Sequence, residues 1–184
     1  MKRLDTPLAG LCVLEPKIHG DARGFFMETY NRRTLEAVGI TTLFVQDNLS
    51  RSRRGVVRGL HWQVGRPQAK LVSVLAGEAY DVAVDLRRGS PTHGRWWADR
   101  LDGTSRKMIY IPEGFAHGFC VLSETADFFY KCSDFYSPPD ERGLLWNDPA
   151  LGIPWPLEGL SPIVSARDAA WPPLSRLSPS DLPG

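Results

Sequence analysis

Gly55-Val56-Val57-Arg58-Gly59-Leu60-His61-Trp62-Gln63 is the stretch on which the reading of this chain turns. Its apolar residues Val56, Val57, Leu60 and Trp62 predict a core β-strand. Side chains alternate along a strand, so His61 and Gln63 share a face with Val57, while Leu60 and Trp62 line the other. Arg58 has the parity opposite to His61. Polar groups inside a sheet need partners. The imidazole is therefore either a satisfied core histidine or a catalytic group facing a lined cavity, and parity alone leaves both open.

Outward from this strand the chain reads as all-β. Apolar runs are short, and 17 glycines and 15 prolines punctuate them, the pattern of a sandwich or barrel. Strands are predicted at Leu11 to Glu15, Phe25 to Tyr30, Thr42 to Asn48, Lys70 to Ala76 and Ala79 to Leu86. Further ones are predicted at Trp96 to Leu101, Lys107 to Ile111, Phe119 to Leu122 and Asp127 to Tyr136. His19 to Gly24 reads as a turn. One short helix is expected from Arg32 to Val38, capped by Asn31 and ended by Gly39. Beyond Pro138 the chain becomes irregular and proline-rich, and Ser175 to Gly184 is expected to be loosely held. No repeat or linker divides residues 1–184, so a single domain is expected, a double sheet wide enough to hold a ligand.

Composition excludes several function classes. The net charge of +1 gives no electrostatic case for nucleic acid or an anionic membrane. Cys12, Cys120 and Cys132 form no CxxC pair and read as small buried hydrophobes in a reducing compartment. The start shows no signal peptide, and no run approaches the roughly 20 apolar residues of a membrane span. A cytoplasmic protein is expected.

Ile111-Pro112-Glu113-Gly114-Phe115-Ala116-His117-Gly118-Phe119 is the second unusual stretch. Its Pro-x-Gly-x-x-His pattern is similar to the second motif of the cupins, small jelly-roll barrels. The first cupin motif would fall at His61-Trp62-Gln63, with Gln where a second metal-ligating His belongs. Two scattered imidazoles make a poor transition-metal site, so no metal is expected. Other polar residues have a bland reading each. Lys70 at a strand mouth is ordinarily solvated. Tyr130 and Tyr136 share a strand face and would ordinarily be core. Asp168 alone would be a surface or turn aspartate, and Arg51-Ser52-Arg53-Arg54 a solvated loop. Arg23, Arg58 and Arg167 are candidate anion ligands, and Gln46 and Asn48 share a face from which to bond a polar ligand.

Taken together these segments resemble the dTDP-4-dehydrorhamnose 3,5-epimerase family of cupin-fold nucleotide-sugar enzymes. The resemblance rests on Asp21 to Glu28, Gln46 to Ser50, Gly55 to Gln63, Gln68 to Val72, Tyr80 to Arg87 and Ser90 to Thr92. It continues through Pro112 to Phe119, Tyr130 to Cys132, Tyr136 to Pro138, Glu141, Asp148-Pro149 and Ile153 to Pro156, in family order.

The resemblance implies an all-β cupin-type jelly roll and proton transfer without metal or cofactor. In that chemistry a C4 ketone acidifies the hydrogens on C3 and C5 of the sugar, and abstraction gives an enolate that is reprotonated from the opposite face. It implies His61 as proton acceptor, Asp168 as its orienting carboxylate, Tyr130 as proton donor and Lys70 as the cation at the enolate oxygen. Arg23, Glu28, Gln46, Asn48, Arg58, Lys70, His117, Glu141 and Arg167 would contact the dTDP-4-keto-6-deoxy sugar, and Tyr136 would stack on its base. A homodimer is implied, with an early strand crossing to the partner so that Arg23 and Glu28 serve the neighbouring site. The family usually has lysine where this chain has Arg167, which changes geometry at that contact. Trp62 stands where smaller aromatics are usual. The alternatives are an epimerase of C3 only or C5 only, acting in an antibiotic-sugar pathway, and a non-catalytic nucleotide-sugar binding cupin. With Arg58 and His61 both sent to the ligand, either a bulge at Gly59 re-aims one side chain or Arg58 reaches the nucleotide from the strand's end.

Overall fold

A computed structural model describes residues 1–157 and 159–183. Its strands are β1 (Lys2–Asp5), β2 (Cys12–Glu15), β3 (Ile18–Asp21), β4 (Gly24–Met27), β5 (Gln46–Arg53), β6 (Val57–Gln63) and β7 (Lys70–Ala76). They continue as β8 (Glu78–Asp85), β9 (Trp96–Asp102), β10 (Met108–Ile111), β11 (Phe115–Val121), β12 (Thr125–Cys132) and β13 (Glu141–Gly143). Two short helices, α1 (Arg32–Ala37) and α2 (Ala166–Ala169), complete the regular structure with two single 3₁₀ turns.

The strands form a six-stranded sheet, β1-β2-β10-β7-β12-β5, facing a five-stranded one, β13-β6-β11-β8-β9, with β3 and β4 a separate hairpin. This is the expected all-β jelly roll. Alternation explains its layering: one face of each sheet is buried against the other, and the outer faces are covered in part, β5 leaving Asp47, Leu49, Arg51 and Arg53 exposed. Val72, Val74, Ile109, Phe115, Phe119 and Phe128 point between the sheets and fill one end of the interior. On the outer side of the six-stranded sheet, Leu71 and Met108 pack under Leu35 of α1. On the outer side of the other, Leu60, Trp62, Val82 and Val84 pack under the C-terminal segment. Trp62 therefore points away from the interior, as its parity predicts.

Helix α1 is capped as its sequence implies, with the Asn31 side chain accepting from the Arg33 and Thr34 backbone N–H groups. Several expectations are corrected. His19 to Gly24 is not simply a turn: only Ala22-Arg23 turns, and its flanks pair as the β3–β4 hairpin. The Arg51 to Arg54 run is mostly strand, since Arg51 to Arg53 end β5 and pair with β12. A second helix, α2, escapes the sequence because one turn shows no apolar periodicity.

Through its described residues 175–183 the last segment is not loosely held; Gly184 lies outside the described residues. Leu174, Leu177 and Leu182 pack against the Trp62 cluster, the Trp62 indole N–H donates to the Asp181 carbonyl at 2.8 Å, and Arg142 holds the Asp181 carboxylate. The outer face of the five-stranded sheet is apolar, and this segment is what covers it. Deleting residues 175–184 is expected to lower stability by about 2–4 kcal/mol, the scale of uncovering two leucines and an indole. Thermal unfolding of the truncated chain against the full one measures this.

Candidate active site

The end of the interior not filled by the apolar core is an open cavity of about 540 Å³, within the range of small-molecule sites. Its floor is aromatic: Phe119 and Phe128 stack at 3.9 Å, and Tyr130 leans on Phe128. Its walls carry His61, Lys70, His117, Tyr130 and Asp168, with Gln46, Asn48, Arg58, Tyr136, Glu141 and Arg167 nearer the mouth.

The strand that opened the sequence reading is kinked where expected. His117 pairs with His61 and Phe119 with Arg58, so two residues of β6, Gly59 and Leu60, oppose only Gly118 of β11. The Gly59–Leu60 peptide bond is cis. This bulge re-aims one side chain, which is how Arg58 and His61, of opposite parity, both line the cavity. It needs glycine on both strands. A Cβ on Gly59, whose φ is +102°, would lie 2.5 Å from the His117 carbonyl oxygen, and one on Gly118 would lie 2.6 Å from that of Arg58.

His61 does not act alone. Its Nε2 lies 2.7 Å from Asp168 Oδ1. Asp168 is 4% exposed, and its second oxygen accepts the Gly59 backbone N–H at 3.4 Å. Ser165 caps α2 by accepting from the Asp168 backbone N–H at 3.0 Å, which fixes the carboxylate's approach. Burial works against ionisation of Asp168, but the hydrogen bonds from His61, Gly59 and Ser165 outweigh it and hold the carboxyl below the usual carboxylate range. An ionised carboxylate only accepts, so Nε2 carries the proton of this bond, and in the neutral imidazole the lone pair is on Nδ1. The side chain is about one-quarter exposed into the cavity, so Nδ1 is a base available to a bound molecule.

The depressed Asp168 pKa links to folding with a definite sign. The carboxylate's contribution to stability is complete above its unfolded pKa of about 3.9 and is lost as pH falls through the lower folded value. The stability difference between wild type and Asp168→Asn is therefore expected to shrink as pH drops from 5 to 3. Denaturant unfolding at several pH values measures it.

Lys70 overturns its bland reading. It is 8% exposed, not solvated, and its ammonium has the His61 carbonyl at 3.5 Å. Burial lowers its pKa, with Cys132, Asp81 and Glu141 pulling back the other way. An ammonium held with so few partners is poised to stabilise a developing anion. Tyr130, opposite Val72 and Asn48 in the sheet, is raised by burial, so its phenol stays protonated and able to donate.

His117 Nε2 pairs with the buried Asp81 at 2.7 Å. Asp81 was missed from the sequence, although an inward-facing Asp in the strand Ala79 to Leu86 was a visible signal. At the mouth, Glu141 Oε2 accepts from Tyr136 Oη at 2.9 Å and from Arg167 at 2.6 Å. Gln63 also went unassigned. It braces the Tyr136 loop, accepting from the Ser137 N–H and donating to the Arg66 and Phe135 carbonyls. Trp171 is a third such residue: its indole covers Gly143 so closely that any Cβ there would overlap the ring, and it meets His61 edge-on at 6.3 Å.

Two predicted residues stand apart. Arg23 is on the β3–β4 turn, 90% exposed in its side chain and paired with Asp21. Glu28 follows β4 and accepts from Asn31. Neither reaches this chain's own cavity.

Comparison with known proteins places the chain and its fold in one group. The family model described as dTDP-4-dehydrorhamnose 3,5-epimerase matches residues 5–176. A dTDP-4-dehydrorhamnose 3,5-epimerase of Pseudomonas aeruginosa is 52% identical over 91% of this chain and 93% of its own. That of Salmonella typhimurium is 50% identical over 94% and 95%. The crystal structure of a dTDP-6-deoxy-D-glucose-3,5-epimerase from Legionella pneumophila, in complex with dTDP-4-keto-L-rhamnose, superposes with a TM-score of 0.95. It is 50% identical and covers 99% of this chain and 97% of its own.

Proposed function

The chain belongs to the dTDP-4-dehydrorhamnose 3,5-epimerase family, and we propose that its cavity inverts C3 and C5 of a dTDP-4-keto-6-deoxy sugar with His61 as the base. The observation that carries this reading is the His61–Asp168 pair at 2.7 Å, opening a free Nδ1 into a cavity that also holds Lys70 and Tyr130.

Nδ1 removes the proton next to the ketone. The Asp168 carboxylate stabilises the imidazolium that results, and the buried Lys70 ammonium stabilises the enolate oxygen. Tyr130 supplies a proton to the other face of the planar enolate, which inverts the centre. His117, held by Asp81, offers a hydrogen bond to the sugar. Gln46, Asn48, Arg58, Glu141 and Arg167 meet the sugar and diphosphate, and the half-exposed Tyr136 stacks on the base. Retention of both an acid and a base favours inversion over mere binding.

The active unit is a homodimer. The β3–β4 hairpin supports this: it belongs to neither large sheet and leaves Phe25 and Phe26 53% and 69% exposed. Such a ribbon is not stable by itself. The β5 edge, with exposed Leu49, offers strand pairing of the kind the hairpin lacks. Crossing over would bring Arg23 and Glu28 to the second copy's cavity. Among the described residues no helix is long and apolar enough to cross a membrane.

The direct test is incubation with dTDP-4-keto-6-deoxyglucose in D2O, following the sugar by NMR. Deuterium at both C3 and C5 is expected. Deuterium at one carbon would assign a single-centre epimerase, and at neither would reject catalysis on this substrate.

A further inference from the structure

One imidazole that serves two carbons has to be emptied between them. After the first abstraction Nδ1 of His61 carries the substrate's proton, while Nε2 already carries the one bound to Asp168. The second abstraction cannot begin until the Nδ1 proton leaves, and a bound sugar covers the cavity side of the ring.

The neighbour of Nδ1 is Glu141, whose Oε1 lies 4.0 Å away. The β13–β6 register explains the approach: Gly143 pairs with His61 and Glu141 with Gln63, so Glu141 is a diagonal neighbour on one face. Its other oxygen, Oε2, takes both Tyr136 Oη and Arg167. That fixes the carboxylate, and among the described residues Oε1 has no hydrogen-bond donor of its own. The glutamate side chain is 13% exposed, while Arg167 beside it is 55% exposed and Tyr136 48%. Glu141 thus stands between Nδ1 of His61 and the exposed Tyr136 and Arg167 at the mouth.

We propose that Glu141 is the residue that resets the base: Oε1 accepts the Nδ1 proton of His61 between the two inversions and releases it to water beside Tyr136. This rests on the reading of His61 as the base, and goes beyond a ligand contact for Glu141. The step breaks one N–H bond and forms one O–H bond. The imidazole regains its lone pair, the carboxyl then ionises to solvent, and the Tyr130 phenolate left by the first inversion takes a proton back from solvent before the second, so the protons balance and no electrons change hands. A small side-chain rotation or one bridging water closes the 4.0 Å gap.

The test uses rapid quench in D2O, with deuterium read separately at C3 and C5, on wild type, Glu141→Gln and Glu141→Ala. In Glu141→Gln any loss of sugar contact slows both exchanges alike, so the expected signature is the ratio: the second exchange falls about tenfold or more relative to the first, and singly exchanged sugar accumulates. In Glu141→Ala, added formate is expected to restore the second exchange, which a merely structural loss would not allow. Equal slowing at both carbons without rescue, or no slowing at either, overturns the proposal. His61→Asn separates the two readings. If it abolishes both exchanges the base assignment stands whatever Glu141 does, and if it exchanges normally both readings fall.

Discussion

Replacing His61 with alanine is expected to lower kcat by about 10³–10⁴-fold and to remove deuterium exchange at both sugar carbons. That is about 4–5.5 kcal/mol of transition-state stabilisation. The reason is positional as well as chemical. Asp168 ties up Nε2, and no other group in the cavity presents a nitrogen lone pair backed by this carboxylate. His117 is its strand partner and has a carboxylate of its own in Asp81, but its side chain is 7% exposed against 23% for His61, so its ring is far less open to a bound sugar. Affinity for dTDP is expected to hold within about threefold, because the residues assigned to the nucleotide are at the mouth. Calorimetric titration with dTDP, beside the NMR exchange assay, checks both parts. Normal exchange in the variant would remove His61 from its role.

Gly59→Ala is expected to cost about 3 kcal/mol or more of stability and to lower activity by about 10²-fold even in the folded fraction. A methyl group there is strained by the φ of +102° and runs into backbone, the His117 carbonyl oxygen at 2.5 Å and Gly118 Cα at 2.6 Å. Backbone cannot step aside as a flexible side chain can, so relief requires β6 and β11 to separate. Those strands carry His61 and His117, and the Gly59 N–H also holds Asp168. Chemical unfolding gives the stability change, and kcat measured well below the new melting temperature gives the catalytic one. A variant as stable and active as wild type would mean the bulge is not what aims Arg58 and His61.

Much of this was legible before the fold. The short apolar runs Lys70 to Ala76 and Ala79 to Leu86, separated by turn residues, mark strands. Asn31 marks a helix start, and the conflict of parity between Arg58 and His61, with a glycine between them, marks the bulge. What escaped did so for identifiable reasons. Helix α2 is a single turn, too short for a periodic signal, yet it carries Arg167 and Asp168. The C-terminal segment, rich in proline, reads as loose because its partners are far away in sequence: Asp181 binds Trp62 across 119 positions. Lys70 reads as solvated because nothing local states that Cys132 and Tyr130 will close over it.

The order of residues along the chain sets the local terms: which stretches are strands, which faces are apolar, and through its ordered motifs the family. Convergence came from the folded arrangement alone. It brought Asp168 to His61 over 107 positions, set Glu141 beside the imidazole's free nitrogen, and left the β3–β4 hairpin without a sheet of its own. Periodicity reports how a side chain faces relative to its near neighbours. Which distant groups share a cavity depends on sheet register and on how the last forty residues wrap the outer face, and these follow from packing the whole chain at once.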